Sequence, residues 1–351
     1  MRTRPTGSRL DVELVEHGHR SQPRWAVHGH AMQCARSRAG RLVLMVGSVV
    51  VALVLAVVAA PHYAGIPWSQ LPSNPGLLAA AGGLSVLGYA FKAYGWERLF
   101  AADERPQPLA LAAAMGGASV SALALPGRFD DVVRIAIVRR FRDCPAGVRA
   151  VCLSLFMLGL VDAAAFAPLA LIAAALPGHS LAVRLGLVLL VVVGLAAGAV
   201  IVALPRLAAS RRVARFRLSR WVRPRTATLQ EAFEAWALVS ACWLTRAAGV
   251  WVLFGALGLG YSLTLALLFL CASGAAAALP FGPGGMATQA GAGAAVLIAS
   301  GVGASESVGA AVASQALGIL VGASIFLFAT AWRSSLRLTP PYRAVSAMGS
   351  P

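Results

Sequence analysis

The sequence predicts an all-α polytopic membrane protein with about six full spans and two hairpins broken by proline and glycine, arranged as an inverted repeat. Hydrophobic residues make up 58% of the 351 residues and charged residues only 12%, whereas an ordinary soluble domain has about 25% charged residues. The formal charge of +17 comes mostly from arginines in the tails and loops, as expected where basic loops collect on the cytoplasmic side of a cell membrane. We therefore expect no nucleic-acid partner.

The chain begins with a basic, polar segment, residues 1–41, which we expect to be a disordered cytoplasmic tail. Four histidines in this segment have no cysteine or acidic partner in register, so we predict no metal site there. The sequence indicates no cofactor.

The first membrane repeat is predicted over residues 42–176. The uncharged run 42–60 is long enough to cross a hydrocarbon core of about 30 Å at about 1.5 Å per residue, and the arginines before it place the N-terminus inside. A second span, residues 77–96, carries Lys92, whose long side chain we expect to extend to the inner membrane surface. Residues 151–176 form the last span of this repeat.

Residues 109–141 are predicted to enter the membrane from the cytoplasm and to return there. Pro126 and Gly127 interrupt this apolar segment, because proline and glycine do not continue a helix. A full crossing would put the arginines that follow it, and the basic loop 206–225, on the outside of the membrane. We therefore interpret the segment as a re-entrant hairpin.

The returning half of this hairpin supplies the first candidate substrate-binding residues. Asp130, Asp131 and Arg134 share one face of a helix, and Arg128 stands at the bend. Arginine can hold a phosphate by paired hydrogen bonds while the acids orient it. The alternative is a salt-bridged half-helix at the membrane surface without a ligand.

The second repeat, residues 185–332, begins on the other side of the membrane. Its spans are predicted at residues 185–204, 233–257 and 308–332, and the chain ends in a cytoplasmic tail, residues 333–351. Every basic cluster then lies on one side of the membrane. We expect both termini in the cytoplasm and the protein in the cell (inner or plasma) membrane.

The apolar run 263–300 is interrupted by a second cluster of prolines and glycines. At membrane depth, backbone N–H and C=O groups without a helical partner are tolerated only where protein or a water-filled cavity covers them. Successive glycines can also direct backbone N–H groups at an anion. This run forms either a re-entrant hairpin or two full crossings. Inverted repeats with matching broken segments are typical of transporters. The residues that break the run are Pro280, Pro283, Gly284 and Gly285.

Four polar side chains within predicted membrane segments complete the candidate site. Asp162 lies near the middle of its span, where an acid costs about 2.5–3.5 kcal/mol on insertion scales, and we hypothesise that it faces the same interior as Arg246. In the alternative, Arg246 extends past Trp243 to the surface and Asp162 bonds a neighbouring hydroxyl. Gln289 and Gln315 are the main polar side chains of the second hairpin and the last span.

Two short motifs carry a family resemblance. Residues 126–134 are Pro-Gly-Arg-Phe-Asp-Asp-Val-Val-Arg, and residues 279–287 are Leu-Pro-Phe-Gly-Pro-Gly-Gly-Met-Ala. They resemble the motifs P-G-x-x-G-E-x-x-R and L-P-x-x-P-G-G-x-G of the lysylphosphatidylglycerol synthase transmembrane-region family, whose flippase-like domain also forms half of the multiple-peptide resistance factor. Asp131 stands where that family has a glutamate, and Gln315 stands where an arginine is usual.

The resemblance covers residues 42–332 and implies an integral membrane protein that flips or handles a phospholipid or lipid-linked intermediate. The lipid partner would be anionic or lipid-linked, with its headgroup between the two broken hairpins. The alternative function is a non-transporting subunit that scaffolds a lipid or cell-envelope glycosyltransferase, which would be its membrane-protein partner. No Ser/His/Asp, Cys/His or Walker-type arrangement occurs in the sequence, so we do not predict an enzyme.

Overall fold

A computed structural model describes residues 74–122, 129–141, 145–177, 180–209, 228–278 and 285–336. The predicted span 42–60, both predicted tails apart from residues 333–336, and most of the basic loop 206–225 lie outside these ranges. The candidate residues that lie outside them are Pro126, Gly127, Arg128, Pro280, Pro283 and Gly284.

Every long element in the described ranges is an α-helix, and only a short 3-10 turn, Ala102–Glu104, interrupts the series. Gly285 is the first residue of its helix, directly after the second break. The nine described α-helices are α1 (Pro75–Glu97), α2 (Pro108–Ser121), α3 (Phe129–Arg140), α4 (Val148–Ala175), α5 (Leu181–Ala209), α6 (Leu229–Ala256), α7 (Leu263–Ala278), α8 (Gly285–Ala299) and α9 (Ala304–Leu336).

Five of the described helices, α1, α4, α5, α6 and α9, are long and apolar enough to cross a membrane. They correspond to the five predicted spans that fall within the described residues. The four helices of the predicted hairpins are shorter, with 12 to 16 residues each, or roughly 18 to 24 Å at 1.5 Å per residue. An all-α multi-pass architecture is therefore confirmed.

Local sequence signals begin the two helices that pack most extensively together, α1 and α6. The side chain of Asn74 accepts a hydrogen bond from the backbone N–H of Gly76 (3.0 Å), and a proline follows in the first turn of α1. At the start of α6, Thr228 and Glu231 form a capping box. Both arrangements satisfy N–H groups that a helix leaves without an internal partner.

Small residues allow α1 and α6 to approach closely. Gly88 and Gly95 lie seven residues apart on one face of α1 and are buried. A Cβ at Gly88 would lie 3.2 Å from Oγ1 of Thr245, and one at Gly95 would lie 3.0 Å from Cγ2 of Val239. The face of α1 that carries these glycines thus packs directly against α6. Small residues commonly allow membrane helices to approach each other in this way.

Contacts at the helix ends define the directions of the helix pairs that flank the two breaks, α2 with α3 and α7 with α8. Arg105, just before α2, pairs with Glu231 at the start of α6 (2.5 Å). Asn74, just before α1, donates its N–H to the carbonyl of Ala256 at the end of α6 (3.2 Å). Helix α1 therefore runs antiparallel to α6, and α2 begins beside the start of α6.

The α2–α3 pair and the α7–α8 pair open toward opposite ends of α6. Helix α9 runs antiparallel to α2, and Arg333 near its end donates to the carbonyl of Arg140 at the end of α3 (2.9 Å). The α7–α8 pair instead connects the end of α6 to the start of α9. A re-entrant position in a bilayer and an inverted repeat stay predictions.

Helix α2 reaches α9 through a contact between two glycines. A Cβ at Gly116 would collide with the carbonyl oxygen of Gly322, whereas a Cβ at Gly318, one turn earlier on α9, would meet nothing within 4 Å. The backbone approach at Gly116 therefore leaves no room for a side chain.

We expect Gly116→Ala to destabilise the protein by about 1–3 kcal/mol, because an added methyl group must force α2 away from α9. The measurement is the melting temperature of the full chain in detergent. Gly318→Ala is the matched control, and it should leave the melting temperature unchanged or slightly higher, since alanine favours helices over glycine. Equal melting temperatures for the two variants would contradict the close contact.

Candidate functional site

A cavity of about 840 Å³ lies among the helices, and all nine described α-helices contribute to its wall. This volume is within the usual range of roughly 300–1,000 Å³ for ligand pockets. Every predicted substrate-binding side chain that the structure describes lines this cavity. These residues are Asp130, Asp131, Arg134, Asp162, Arg246, Gln289 and Gln315.

An ion pair between α1 and α4 lies in the wall of the cavity. Nζ of Lys92 donates to Oδ2 of Asp162 (2.5 Å), and the two side chains are 19% and 24% exposed. The indole N–H of Trp243, on α6, donates to the other carboxylate oxygen (3.0 Å). One carboxylate thus connects three helices of membrane-crossing length.

The expectation that Lys92 extends to the membrane surface is wrong. Its ammonium turns inward because Asp162 supplies a counter-charge within hydrogen-bond distance, and an ion pair costs less at membrane depth than two separated charges. Asp162 bonds an ammonium and an indole N–H, and its hydrogen bonds within the described residues include no neighbouring hydroxyl. Asp162 and Arg246 do line the same cavity, as hypothesised.

The helix packing explains why these side chains meet. Lys92 lies between Gly88 and Gly95 on α1, at i+4 from the first and i−3 from the second, so it shares their face toward α6. On α6, Trp243 and Arg246 are one turn apart. The ring of Phe166, one turn after Asp162 on α4, packs on Trp243 with 4.6 Å between ring centroids.

The guanidinium of Arg246 lies over the ring of Trp243, with 5.3 Å from Cζ to the ring centroid. Nζ of Lys92 lies 5.7 Å from the same centroid. Such cation–π contacts stabilise a cation by about 0.5–2 kcal/mol. Within the described residues, no carboxylate pairs with Arg246.

Arg134 pairs with both acids of its own helix. Its two terminal nitrogens lie 2.8 Å from Oδ2 of Asp130 and 2.8 Å from Oδ1 of Asp131. The i, i+3 and i, i+4 spacing predicted from the sequence brings these groups onto one face of α3, and this face lines the cavity. The terminal nitrogens of Arg134 are therefore already engaged.

Uncharged polar groups line other parts of the wall. The hydroxyls of Tyr89 on α1 and Ser119 on α2 share a hydrogen bond (2.5 Å). Next to the wall, Ser273 on α7 donates to the carbonyl of Gln289 on α8 (3.1 Å) and links these two helices. The side chains of Gln289 and Gln315 are half-buried at the cavity.

Sequence reasoning missed Lys92, Trp243 and Tyr89 as cavity residues. Lys92 is the only lysine in the chain, and it lies in an apolar run. A single ammonium in such a run could have been matched with the single acid of the fourth described helix, Asp162. No sequence signal distinguished Trp243 or Tyr89 from other membrane aromatics.

The fold and the cavity define a multi-pass α-helical membrane protein with a charged interior. The chain belongs to the family described as Lysylphosphatidylglycerol synthase TM region, which it matches over residues 44–325. This match confirms the resemblance found in the motifs. Comparisons with curated proteins and with solved structures gave no match.

We expect Asp162→Asn to lower the free energy of unfolding by about 1–3 kcal/mol, because Lys92 would then keep its charge without a counter-charge. Thermal unfolding of the full chain in detergent measures this loss. The double change Lys92→Met and Asp162→Leu should recover part of it, since no unpaired charge remains.

The control for this prediction is Glu234→Gln, which removes a more exposed pair. Arg98 and Glu234 lie 3.5 Å apart, and their side chains are 41% and 36% exposed. Losing such a pair typically costs less than about 1 kcal/mol. If Asp162→Asn destabilised the chain no more than Glu234→Gln, the pair in the cavity would have no structural role.

Proposed function

We propose that this protein is a flippase-like transporter or handler of a membrane lipid, and that its cavity receives the polar headgroup while the acyl chains stay in the bilayer. The observation that carries this proposal is a cavity among helices of membrane-crossing length, whose described lining includes three basic and three acidic side chains. Ionisable residues at membrane depth are costly and typically mark a substrate path.

An exposed, mostly apolar edge of the cavity supports a lipid as the substrate. Cys152, Phe156 and Gly159 follow one another along one face of α4, line the cavity and are exposed. Val193 on α5 also lines it and is 50% exposed. An opening between apolar, exposed side chains suits a ligand whose headgroup lies inside and whose hydrocarbon chains lie outside.

The orientation of the broken helix pairs also supports transport. The α2–α3 and α7–α8 pairs open toward opposite ends of α6, and side chains from both pairs line the same cavity. Two broken segments that approach one site from opposite sides are typical of transporters with inverted repeats. This arrangement would allow a headgroup to be reached alternately from each side.

The absence of a catalytic role stays a prediction. It can be examined by looking for chemically modified lipids in membranes that overexpress the chain. The scaffolding alternative depends on the arginine-rich loop, most of which lies outside the described residues, and no described contact favours it.

A bulky side chain placed in the cavity should stop lipid movement. Gly159 lines the cavity, and a Cβ there would meet nothing within 4 Å, so the side chain of Gly159→Trp can begin at this position without a clash of its Cβ. We expect the purified full chain in vesicles to move an acyl-labelled phospholipid between leaflets, and Gly159→Trp to slow this movement about tenfold or more. Reduction of the label by external dithionite measures it.

Gly186→Trp is the matched control. Gly186 lies on α5, its Cβ would also meet nothing within 4 Å, and it does not line the cavity. This variant should move lipid at the normal rate. Equal rates for the two variants would reject the cavity as the path, and no movement by the unaltered protein would favour the scaffolding alternative.

A further inference from the structure

The carboxylate of Asp162 lies deep in a helix of membrane-crossing length and is still accessible from the cavity. Helix α4 runs from Val148 to Ala175, so Asp162 stands about 20 Å from each end at about 1.5 Å per residue. Its side chain lines the cavity and is 24% exposed. Acidic groups in such a position form proton relays in pumps and transporters.

The two oxygens of this carboxylate are bound by two different helices. Oδ2 accepts a hydrogen bond from the ammonium of Lys92 on α1, and Oδ1 accepts one from the indole N–H of Trp243 on α6. A protonated carboxyl group is a donor at one oxygen and has no charge to attract an ammonium. One proton on Asp162 would therefore remove the ion pair between α1 and α4.

The neighbouring contacts of α4 with α1 and α6 do not depend on charge. The indole N–H of Trp96 on α1 donates to Oγ of Ser154 on α4 (2.9 Å). The ring of Phe166 on α4 packs on Trp243 of α6. Because Ser154 and Phe166 lie on either side of Asp162 along α4, protonation would loosen this helix at the cavity without detaching it.

The titratable groups that surround Asp162 come from three of the helices packed against α4. Helices α5 and α7 also pack against α4, but the described residues that they place in the cavity wall carry no titratable side chain. Cys271 on α7 is buried and does not line the cavity. The titratable groups of the described wall besides Asp162 are Lys92 and Tyr89 on α1, Asp130, Asp131 and Arg134 on α3, Cys152 on α4, and Cys242 and Arg246 on α6.

A proton on Asp162 changes the charge balance of the whole cavity. The described lining has three basic and three acidic side chains, so their formal charge is zero when all are ionised and +1 when Asp162 is protonated. An uncompensated charge away from water is costly. Protonation therefore alters the affinity of the cavity for a charged ligand, and by linkage the ligand alters the affinity for the proton by the same factor.

We infer that Asp162 is a proton-binding site that couples lipid movement to the pH difference across the membrane. This inference rests on the proposed lipid-handling function and adds a co-transported proton to it. A hydronium ion in the cavity transfers its proton to Oδ2 of Asp162 and leaves as water, while Lys92 keeps its own proton. The ion pair is then lost, and α4 can shift against α1 and α6. Release of the proton to water on the other side restores the pair.

Proton binding is tested by infrared difference spectroscopy on the purified full chain in vesicles, as the pH is lowered from neutral to mildly acidic. Asp162→Asn alone is expected to be less stable, so the test uses the double change Lys92→Gln and Asp162→Asn, which leaves no unpaired charge. We expect this double variant to lack one protonated-carboxyl band that the unaltered chain shows. The control Glu234→Gln removes an acid that does not line the cavity and should keep that band. Melting temperatures verify that each variant is folded.

Coupling is tested on the same proteins with a pH difference of about one unit across vesicles of phosphatidylglycerol and phosphatidylcholine. Potassium and valinomycin hold the membrane potential at zero, and external dithionite reports the distribution of an acyl-labelled lipid of each kind. One proton per lipid supports at most about a tenfold ratio between the leaflets, since a tenfold ratio balances one unit of pH.

We expect the unaltered chain and Glu234→Gln to accumulate label in one leaflet, and in the opposite leaflet when the pH difference is reversed. The double variant should leave the label evenly distributed. Protein-free vesicles give the background.

A carboxyl band that survives in the double variant, or a pH response that persists there, would overturn the assignment to Asp162. Lipid movement by the unaltered chain that ignores the pH difference would overturn the coupling and leave the proposed function standing. No lipid movement with or without a pH difference would reject the proposed function, and the coupling with it, even if the infrared band is present.

Discussion

The structure depends on the cost of keeping charged groups away from water. A carboxylate in the middle of an apolar helix must find a partner, and Asp162 finds two, the ammonium of Lys92 and the indole N–H of Trp243. Because those partners belong to α1 and α6, satisfying one charge fixes the relative positions of three long helices. Lys92, Asp162 and Trp243 all line the cavity.

Small residues make that contact reachable. The glycines at 88 and 95 let the backbone of α1 approach α6, and the same device at Gly116 and Gly322 brings α2 against α9. In a lipid environment, close backbone packing replaces the hydrophobic driving force that joins helices in water. The glycines thus determine how closely these helices pack, and the charged side chains line the cavity among them.

The charges divide the cavity into an internally paired part and an open part. Lys92 is paired with Asp162, and Arg134 is paired with both acids of α3. The guanidinium of Arg246 lies over the ring of Trp243 and lines the same cavity. The exposed apolar edge along α4 is consistent with a ligand that keeps its acyl chains in the bilayer.

The sequence by itself determined the fold class, the five described helices of membrane-crossing length, the family and five of the six charged residues in the described lining of the cavity. Apolar run length, arginine position and proline–glycine breaks act through local chemistry and membrane thickness, so they can be recognised in the sequence. Asp130, Asp131 and Arg134 were placed on one helix face from their spacing alone, and the structure pairs them there. Only the tertiary structure decided that Lys92 turns inward, that Trp243 joins its pair, and that Arg246 has no carboxylate partner among the described residues. These outcomes depend on which helix faces contact each other, because Asp162 is 70 residues from Lys92 and 81 residues from Trp243 in the chain. The periodicity of one helix does not indicate which other helix it will contact.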